Sequence, residues 1–110
     1  MSTLEYILKK FRPDISFRPP IKICNVNRTI VAKVLGELNF KEGAEVGVAE
    51  GNHAKVLCDN NPGVMLHCID VWERYPGYNE YENIEQIYFE VEERLRAYNV
   101  QLHKMFSMNA

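Results

Sequence analysis

The stretch Glu45-Val46-Gly47-Val48-Ala49-Glu50-Gly51 decides the fold of this chain. Residues 44–49 form a short β-prone run, which leads into a glycine-containing turn and then into a helical segment. Gly47 allows the backbone to turn sharply, and Gly51 lets it approach a ligand at the positive end of the next helix. The stretch therefore predicts a strand, a ligand-binding turn and a helix in direct succession.

The segments on either side of this stretch alternate between helical and strand patterns. Helices are predicted over residues 3–11, 27–39, 52–60 and from about 79 to 98, and the further strands over 65–70 and 100–105. Pro13, Pro19 and Pro20 indicate an irregular arm over residues 12–24. This order predicts an α/β fold with a parallel sheet, in which residues 1–26 are a helix and arm and residues 27–110 are the domain.

An acidic residue ends the second predicted strand, at a spacing from the glycine turn that is typical of nucleotide-binding folds. Asp70 lies nineteen residues after Gly51, close to the offset of about 20 residues at which an acid accepts hydrogen bonds from ribose hydroxyls. The glycine pair alone is also explained by an ordinary strand-to-helix turn, and Asp70 alone by a cap of the turn after it. Together, in this order on two neighbouring strands, they favour a nucleotide-type cofactor site.

The composition argues against a nucleic-acid partner and against a membrane partner. The net charge is −2 and the Lys and Arg residues form no run, so the chain lacks the basic surface that a phosphate backbone requires, and no nucleic-acid partner is expected. No stretch approaches the roughly 20 apolar residues of a membrane span, and residues 1–10 do not resemble a signal peptide. We therefore expect a cytoplasmic protein without a membrane partner.

The cysteines and histidines carry no recognisable ligand motif. Cys24, Cys58 and Cys68 are odd in number and widely spaced, which is typical of reduced thiols rather than of a disulfide framework. The histidines His53, His67 and His103 form no closely spaced pair of the kind that zinc sites use. No metal is expected, and no catalytic base is assigned.

Two quoted stretches carry a resemblance to a known family. Glu-Val-Gly-Val-Ala-Glu-Gly at 45–51, together with Cys-Ile-Asp-Val-Trp-Glu-Arg-Tyr-Pro-Gly-Tyr at 68–78, resembles the class I S-adenosylmethionine-dependent methyltransferases over roughly residues 27–110. The resemblance implies a Rossmann-like three-layer sandwich. It also implies these cofactor contacts: Glu45, Gly47, Ala49, Gly51, Asp70, Val71, Trp72, Ser107 and Met108. Ala49 departs from the family pattern, since many members have glycine there.

The resemblance also implies a sheet order of 3-2-1, with the chain ending before a fourth strand that would pair with the free side of the first. Val46 and Val48 would then lie on an open apolar edge, which invites pairing with another chain. We therefore expect self-association, a complementing chain, or coverage of the exposed sheet by the arm of residues 12–24.

Three functions are consistent with these residues. The first is methyl transfer from S-adenosylmethionine to an acceptor that the sequence does not specify. The second is a catalytically inactive remnant that binds the cofactor or a partner. The third is a fragment of a NAD-dependent oxidoreductase, because Asp70 would serve a NAD ribose equally well. Against the third, the turn is not G-x-G-x-x-G, and Glu50 would repel a diphosphate.

Overall fold

A computed structural model describes all residues, 1–110, as an α/β fold. Its elements are α1 (Thr3–Phe11), α2 (Arg28–Glu37), β1 (Glu42–Val46), α3 (Asn52–Asp59), β2 (Met65–Asp70), α4 (Ile84–Arg94), β3 (Val100–Lys104) and a final 3-10 turn (Ser107–Asn109). The predicted α/β class and the predicted order of helices and strands are confirmed. Asn27 caps α2, because its side chain accepts a hydrogen bond from the Ile30 amide at 2.9 Å.

The three strands form one parallel sheet in the order β1-β2-β3. Glu45 of β1 pairs with Cys68 of β2, and Cys68 pairs with Leu102 of β3. In parallel strands the carboxyl ends meet at one edge of the sheet, so the turn after β1 and the turn after β2 are neighbours. This arrangement places residues 47–51 beside residues 71–81.

Most of the core lies on one face of this sheet, and Ile69 of the central strand is buried on the other. Leu66 and Cys68 of β2 point to the first of these faces, where they belong to a cluster of eleven buried residues drawn from β2, α3, α4 and the segments that flank these elements. The fully buried members of this cluster include Ala54 of α3 and Val91 of α4. Because both crossover helices pack on this face, the sheet and its helices bury a single continuous core.

The opposite face of the sheet is not covered by a helix layer. Side chains alternate along a strand, so Ala44 and Val46 of β1 and Gln101 of β3 point to this second face, and all three are exposed. Val46 is 63% exposed. The arm of residues 12–24 is itself almost entirely exposed and does not bury these side chains. The third layer of the expected sandwich is therefore not built by these 110 residues.

Strand β1 begins earlier and ends earlier than the sequence predicts. It starts at Glu42, two residues before the predicted run of 44–49, and Glu42 pairs with Met65 of β2. Gly47, with φ of 81°, leads the chain out of the extended conformation. Val48 consequently lies beyond the strand and is buried in the core, so its expected position on an open edge is wrong.

Helix α4 is shorter than the predicted segment from about 79 to 98. Residues 75–83 form turns, and Asn83 stands at the helix start without a capping side-chain hydrogen bond. The apolar residues Ile84, Ile87, Val91 and Leu95 follow one another at helical spacing and are buried. The 3.6-residue period thus located the helix correctly, while its ends depended on the packing of the turns around it.

The amino-terminal helix α1 contributes little to the core. It has a capping box formed by Ser2 and Glu5 but no buried residue. Lys10 forms a salt bridge with Glu37 of α2, with 3.0 Å between Nζ and Oε2. An exposed ion pair of this kind stabilises by only about 0–1 kcal/mol.

None of the helices, α1 included, has the length and apolar content needed to cross a membrane.

Candidate functional site

A cavity of about 400 Å³ lies at the carboxyl end of β1. Its wall combines the turn after β1, the first residues of α2 and α3, and the loop after β2. The lining residues are Arg28, Glu45, Gly47, Val48, Ala49, Glu50, Asn52, His53, Glu80 and Tyr81. This is the position where open α/β sheets bind ligands, just beyond the strand ends, and the volume is typical of small-molecule sites.

The peptide groups of Ala49 are held from both sides by residues of the turn after β2. Asp70 Oδ2 accepts a hydrogen bond from the Ala49 amide at 2.8 Å. Trp72 Nε1 donates to the Ala49 carbonyl at 2.9 Å. Ala49 has a left-handed φ of 50°, which disfavours alanine by about 1–2 kcal/mol, so these two hydrogen bonds maintain a backbone shape that the residue itself resists.

A further contact ties the turn after β1 to helix α4. Arg94 donates a hydrogen bond from its guanidinium to the carbonyl of Glu50. Gly51 starts α3 with φ of 79°, and a Cβ there would stand 3.5 Å from the side chains of Val91 and Leu95. The turn that forms one wall of the cavity is therefore fixed by β2, by the turn after it and by α4.

Acidic side chains dominate the charge of the cavity. Glu45, Glu50 and Glu80 line it, against a single cation, Arg28. Burial raises the pKa of Glu45 to about 7; the Arg28 guanidinium opposes this rise and the Asp70 carboxylate adds to it. Carboxylates that outnumber cations in a partly desolvated cavity favour a ligand with positive charge.

Two buried polar atoms at the cavity lack a hydrogen-bond partner. They are Glu45 Oε2 and His53 Nδ1, and both residues line the cavity. Buried polar atoms are nearly always paired in proteins, and each exception calls for an explanation. A ligand with a hydrogen-bond donor near Glu45 would satisfy the first of these atoms.

The structure brings together part of the predicted site. Glu45, Gly47 and Ala49 line the cavity, and Asp70 supports it through the hydrogen bond to Ala49. Asp70 also caps the turn after β2, which is the alternative role that its position in the sequence suggests. Its Oδ1 accepts a hydrogen bond from the Trp72 amide at 3.2 Å. Each carboxylate oxygen retains accepting capacity beyond these bonds.

The remaining predicted residues lie outside the cavity wall. The Trp72 side chain is fully buried and packs against Tyr88, with 5.2 Å between the two ring centroids. It is therefore a core residue rather than an exposed platform for adenine. Gly51 is buried at the start of α3, and Val71 is half-buried and absent from the cavity lining. Ser107 and Met108 lie in the exposed final turn, where Met108 is 93% exposed.

Sequence patterns gave no indication of several cavity residues. Arg28 stands in the first turn of α2, and Glu80 and Tyr81 lie in the loop after β2. No motif links these positions, since they meet only when α2 packs beside α3 and the loop folds over the strand ends. Across residues 1–110, no group of three or more His, Cys, Asp or Glu side chains is placed to hold a metal ion.

Comparison of the chain with models of protein families, with curated proteins and with solved structures gave no match.

The buried carboxyl of Glu45 predicts a specific dependence of stability on pH. The pKa of Glu45 is about 7 in the folded chain, against the ordinary value of 4.5 for a solvated Glu side chain. The folded state therefore holds this proton more tightly than the unfolded state, and stability falls as pH rises from about 4.5 to about 7. We expect Glu45→Gln to raise the free energy of unfolding at pH 8 by about 1–2 kcal/mol, allowing for solvent screening of a half-buried group.

Urea denaturation of both proteins at pH 4.5 and pH 8 measures this effect. The gain should vanish at the lower pH, where the wild-type carboxyl is protonated too. Glu92→Gln, a change at an exposed position of α4, serves as the matched control and should be neutral at both values. A loss of stability for Glu45→Gln at pH 8 would show that the carboxylate is ionised and paired instead.

Proposed function

We propose that this chain binds S-adenosylmethionine in the cavity at the carboxyl end of β1 and belongs to a methyltransferase of Rossmann-like fold with sheet order 3-2-1. The observation that carries the proposal is the buried, unpartnered Glu45 Oε2 in an acid-rich cavity. S-adenosylmethionine has a sulfonium and an amino group, both positive, and no phosphate. Its charge therefore complements the carboxylates of this cavity.

Individual residues have distinct parts in this proposal. Glu45 would accept from the amino group of the ligand, and Arg28 would pair with its carboxylate. The backbone of Gly47 to Ala49 would lie against the ligand, with Asp70 accepting from the ribose hydroxyls while it continues to hold the Ala49 amide. When bound, S-adenosylmethionine supplies an electrophilic methyl group, so the chain's own residues have only to position it and exclude water.

The same charges disfavour a nicotinamide dinucleotide. A NAD pyrophosphate requires backbone donors free of nearby anions, and here Glu45, Glu50 and Glu80 all line the cavity. The oxidoreductase alternative therefore has no support from the cavity, although Asp70 alone is compatible with it.

Calorimetric titration with S-adenosylmethionine tests the proposal. We expect saturable binding that tightens between pH 6 and pH 8, because a positive ligand favours the ionised form of Glu45. Glu45→Gln should weaken binding about tenfold or more, in line with the loss of one charged hydrogen bond. Glu92→Gln is the matched control. NAD should give no saturable heat.

Asp70→Asn provides a second variant, with circular dichroism to verify that it remains folded. Absence of S-adenosylmethionine binding by the folded wild-type chain, or equal affinity in Glu45→Gln, would refute the proposed site. Labelled-methyl transfer from bound S-adenosylmethionine to any acceptor in a metabolite or peptide pool separates a methyltransferase from an inactive cofactor-binding protein.

We also propose association through β1 and a cytoplasmic location. The free side of β1 is unpaired in the sheet, and Val46 beside it is exposed. Sedimentation velocity should show a dimer or larger species that Val46→Lys dissociates; a monomer at all concentrations would refute this.

The proposed cytoplasmic location is supported by the three cysteines, which are free thiols, as is usual in a reducing compartment.

A further inference from the structure

Two histidines and a glutamate form a connected line across all three strands of the sheet. His67 Nδ1 lies 3.0 Å from His103 Nε2, and His67 Nε2 lies 2.8 Å from Glu42 Oε1. By strand register, Glu42 stands two positions before the partner of His67 on β1, and His103 two positions after its partner on β3. All three side chains therefore lie on the sheet face that no helix covers.

The carboxylate determines which nitrogen of His67 is available. Glu42 Oε1 accepts from Nε2, so this nitrogen carries the proton and Nδ1 presents a lone pair toward His103. A carboxylate that orients a histidine in this way is the usual outer partner of a metal-bound imidazole. In the metal-free chain this Nδ1 accepts a hydrogen bond from the Nε2–H of His103 at 3.0 Å, so a bound cation would take the place of that proton between the two rings.

The spacing of the two facing nitrogens suits a shared cation. Two nitrogens at about 2.0–2.1 Å from one ion, and at adjacent coordination positions, lie about 2.9–3.4 Å apart. The observed 3.0 Å falls within this range, and the rings are tilted by 36° with centroids 5.2 Å apart. The His67 side chain is 26% exposed and Glu42 is 71% exposed, so an ion and its waters can reach the pair.

We propose that His67 Nδ1 and His103 Nε2 chelate a divalent cation of the Zn²⁺ type, with Glu42 as the carboxylate that orients His67. On binding, the proton of His103 Nε2 moves to the Nδ1 of the same ring, so that the imidazole stays neutral and Nε2 presents its lone pair to the ion. Imidazole nitrogens favour Zn²⁺, Ni²⁺ and Cu²⁺ over Mg²⁺ and Ca²⁺, which prefer oxygen ligands. Water completes the coordination, because the face is open. None of the three residues lines the cofactor cavity, so the site is independent of the function proposed above.

The test is calorimetric titration of the whole chain with Zn²⁺, in a Cys24→Ser background that removes the one exposed thiol. We expect one ion per chain, with histidine-ring NMR signals of His67 and His103 shifting together. His103→Gln removes one ligand, and Glu42→Gln removes the orienting carboxylate, which should weaken binding about 10- to 100-fold. Both positions lie outside the buried core.

The matched control is Glu93→Gln, which should leave Zn²⁺ affinity unchanged. Glu93 is an exposed residue near the end of α4, and its carboxylate pairs with Arg96. Mg²⁺ should give no heat. Absence of saturable Zn²⁺ binding would overturn the proposal. Equal affinity in His103→Gln, or ring shifts confined to His53, would overturn it as well, even if Zn²⁺ binds.

Discussion

Replacement of Trp72 by alanine is expected to lower the free energy of unfolding by about 3–5 kcal/mol, the range for removal of a large buried aromatic side chain. Trp72 is fully buried, packs against Tyr88 and donates to the Ala49 carbonyl. A domain of this size has a total stability of about 5–15 kcal/mol. The variant should therefore be close to unfolding at room temperature, which urea denaturation would measure.

Trp72→Phe separates packing from hydrogen bonding at the same position. The phenyl ring keeps much of the contact area but leaves the Ala49 carbonyl without its donor, at a cost of about 1–3 kcal/mol. Tyr75→Ala is the control, because Tyr75 is an aromatic residue of the same turn that is 40% exposed. A loss for Trp72→Ala no larger than that for Tyr75→Ala would contradict the assignment of Trp72 to the core.

The second large loss in the free energy of unfolding is expected for Gly36→Ala in helix α2. Alanine is favoured over glycine within a helix by about 1 kcal/mol, so an isolated helix would gain stability. In this chain, however, a Cβ at position 36 would lie 2.0 Å from the carbonyl oxygen of Asn60 at the end of α3. Because that oxygen belongs to the backbone, α2 and α3 must separate to accommodate the methyl group.

We expect the steric cost to exceed the helical gain and to leave a net loss of about 2 kcal/mol in the free energy of unfolding. The displacement of α2 would also move Arg28 at its first turn, so ligand affinity should fall as well. Gly63→Ala is the matched control: its Cβ would approach only Lys41 Nζ, at 3.6 Å. Denaturation of the two variants side by side should show a loss of stability for Gly36→Ala and little change for Gly63→Ala. A stabilised Gly36→Ala would show that α2 is not held against α3.

Local sequence chemistry predicted those elements whose signals lie within a few residues. The predicted helices at 3–11 and 52–60 and the predicted strand at 65–70 depend on periodicity and on the turn residues next to them, and the structure confirms their bounds to within one residue. The start of β1 was missed because Glu42 and Gly43 have weak β propensity, and pairing with β2 is what extends them.

The candidate site likewise combines residues that the local sequence predicts with residues that only the fold brings together. Glu45, Gly47 and Ala49 were predicted from one short stretch and line the cavity, whereas Arg28, Glu80 and Tyr81 come from separate elements and carry no shared pattern. Trp72 was placed at the cofactor because of its position after Asp70. Its actual direction, into the core, depends on its left-handed φ of 48° and on the packing of α4.

The sequence by itself determined the alternation of helices and strands, the parallel sheet and the glycine turn after β1, because periodicity and turn chemistry act over short distances. Only the tertiary structure decided which side chains share a space. The raised pKa of Glu45 arises from its burial, and the contact of His67 with His103 arises from strand register. Burial and register are properties of the packed sheet, since they depend on residues far apart in the chain.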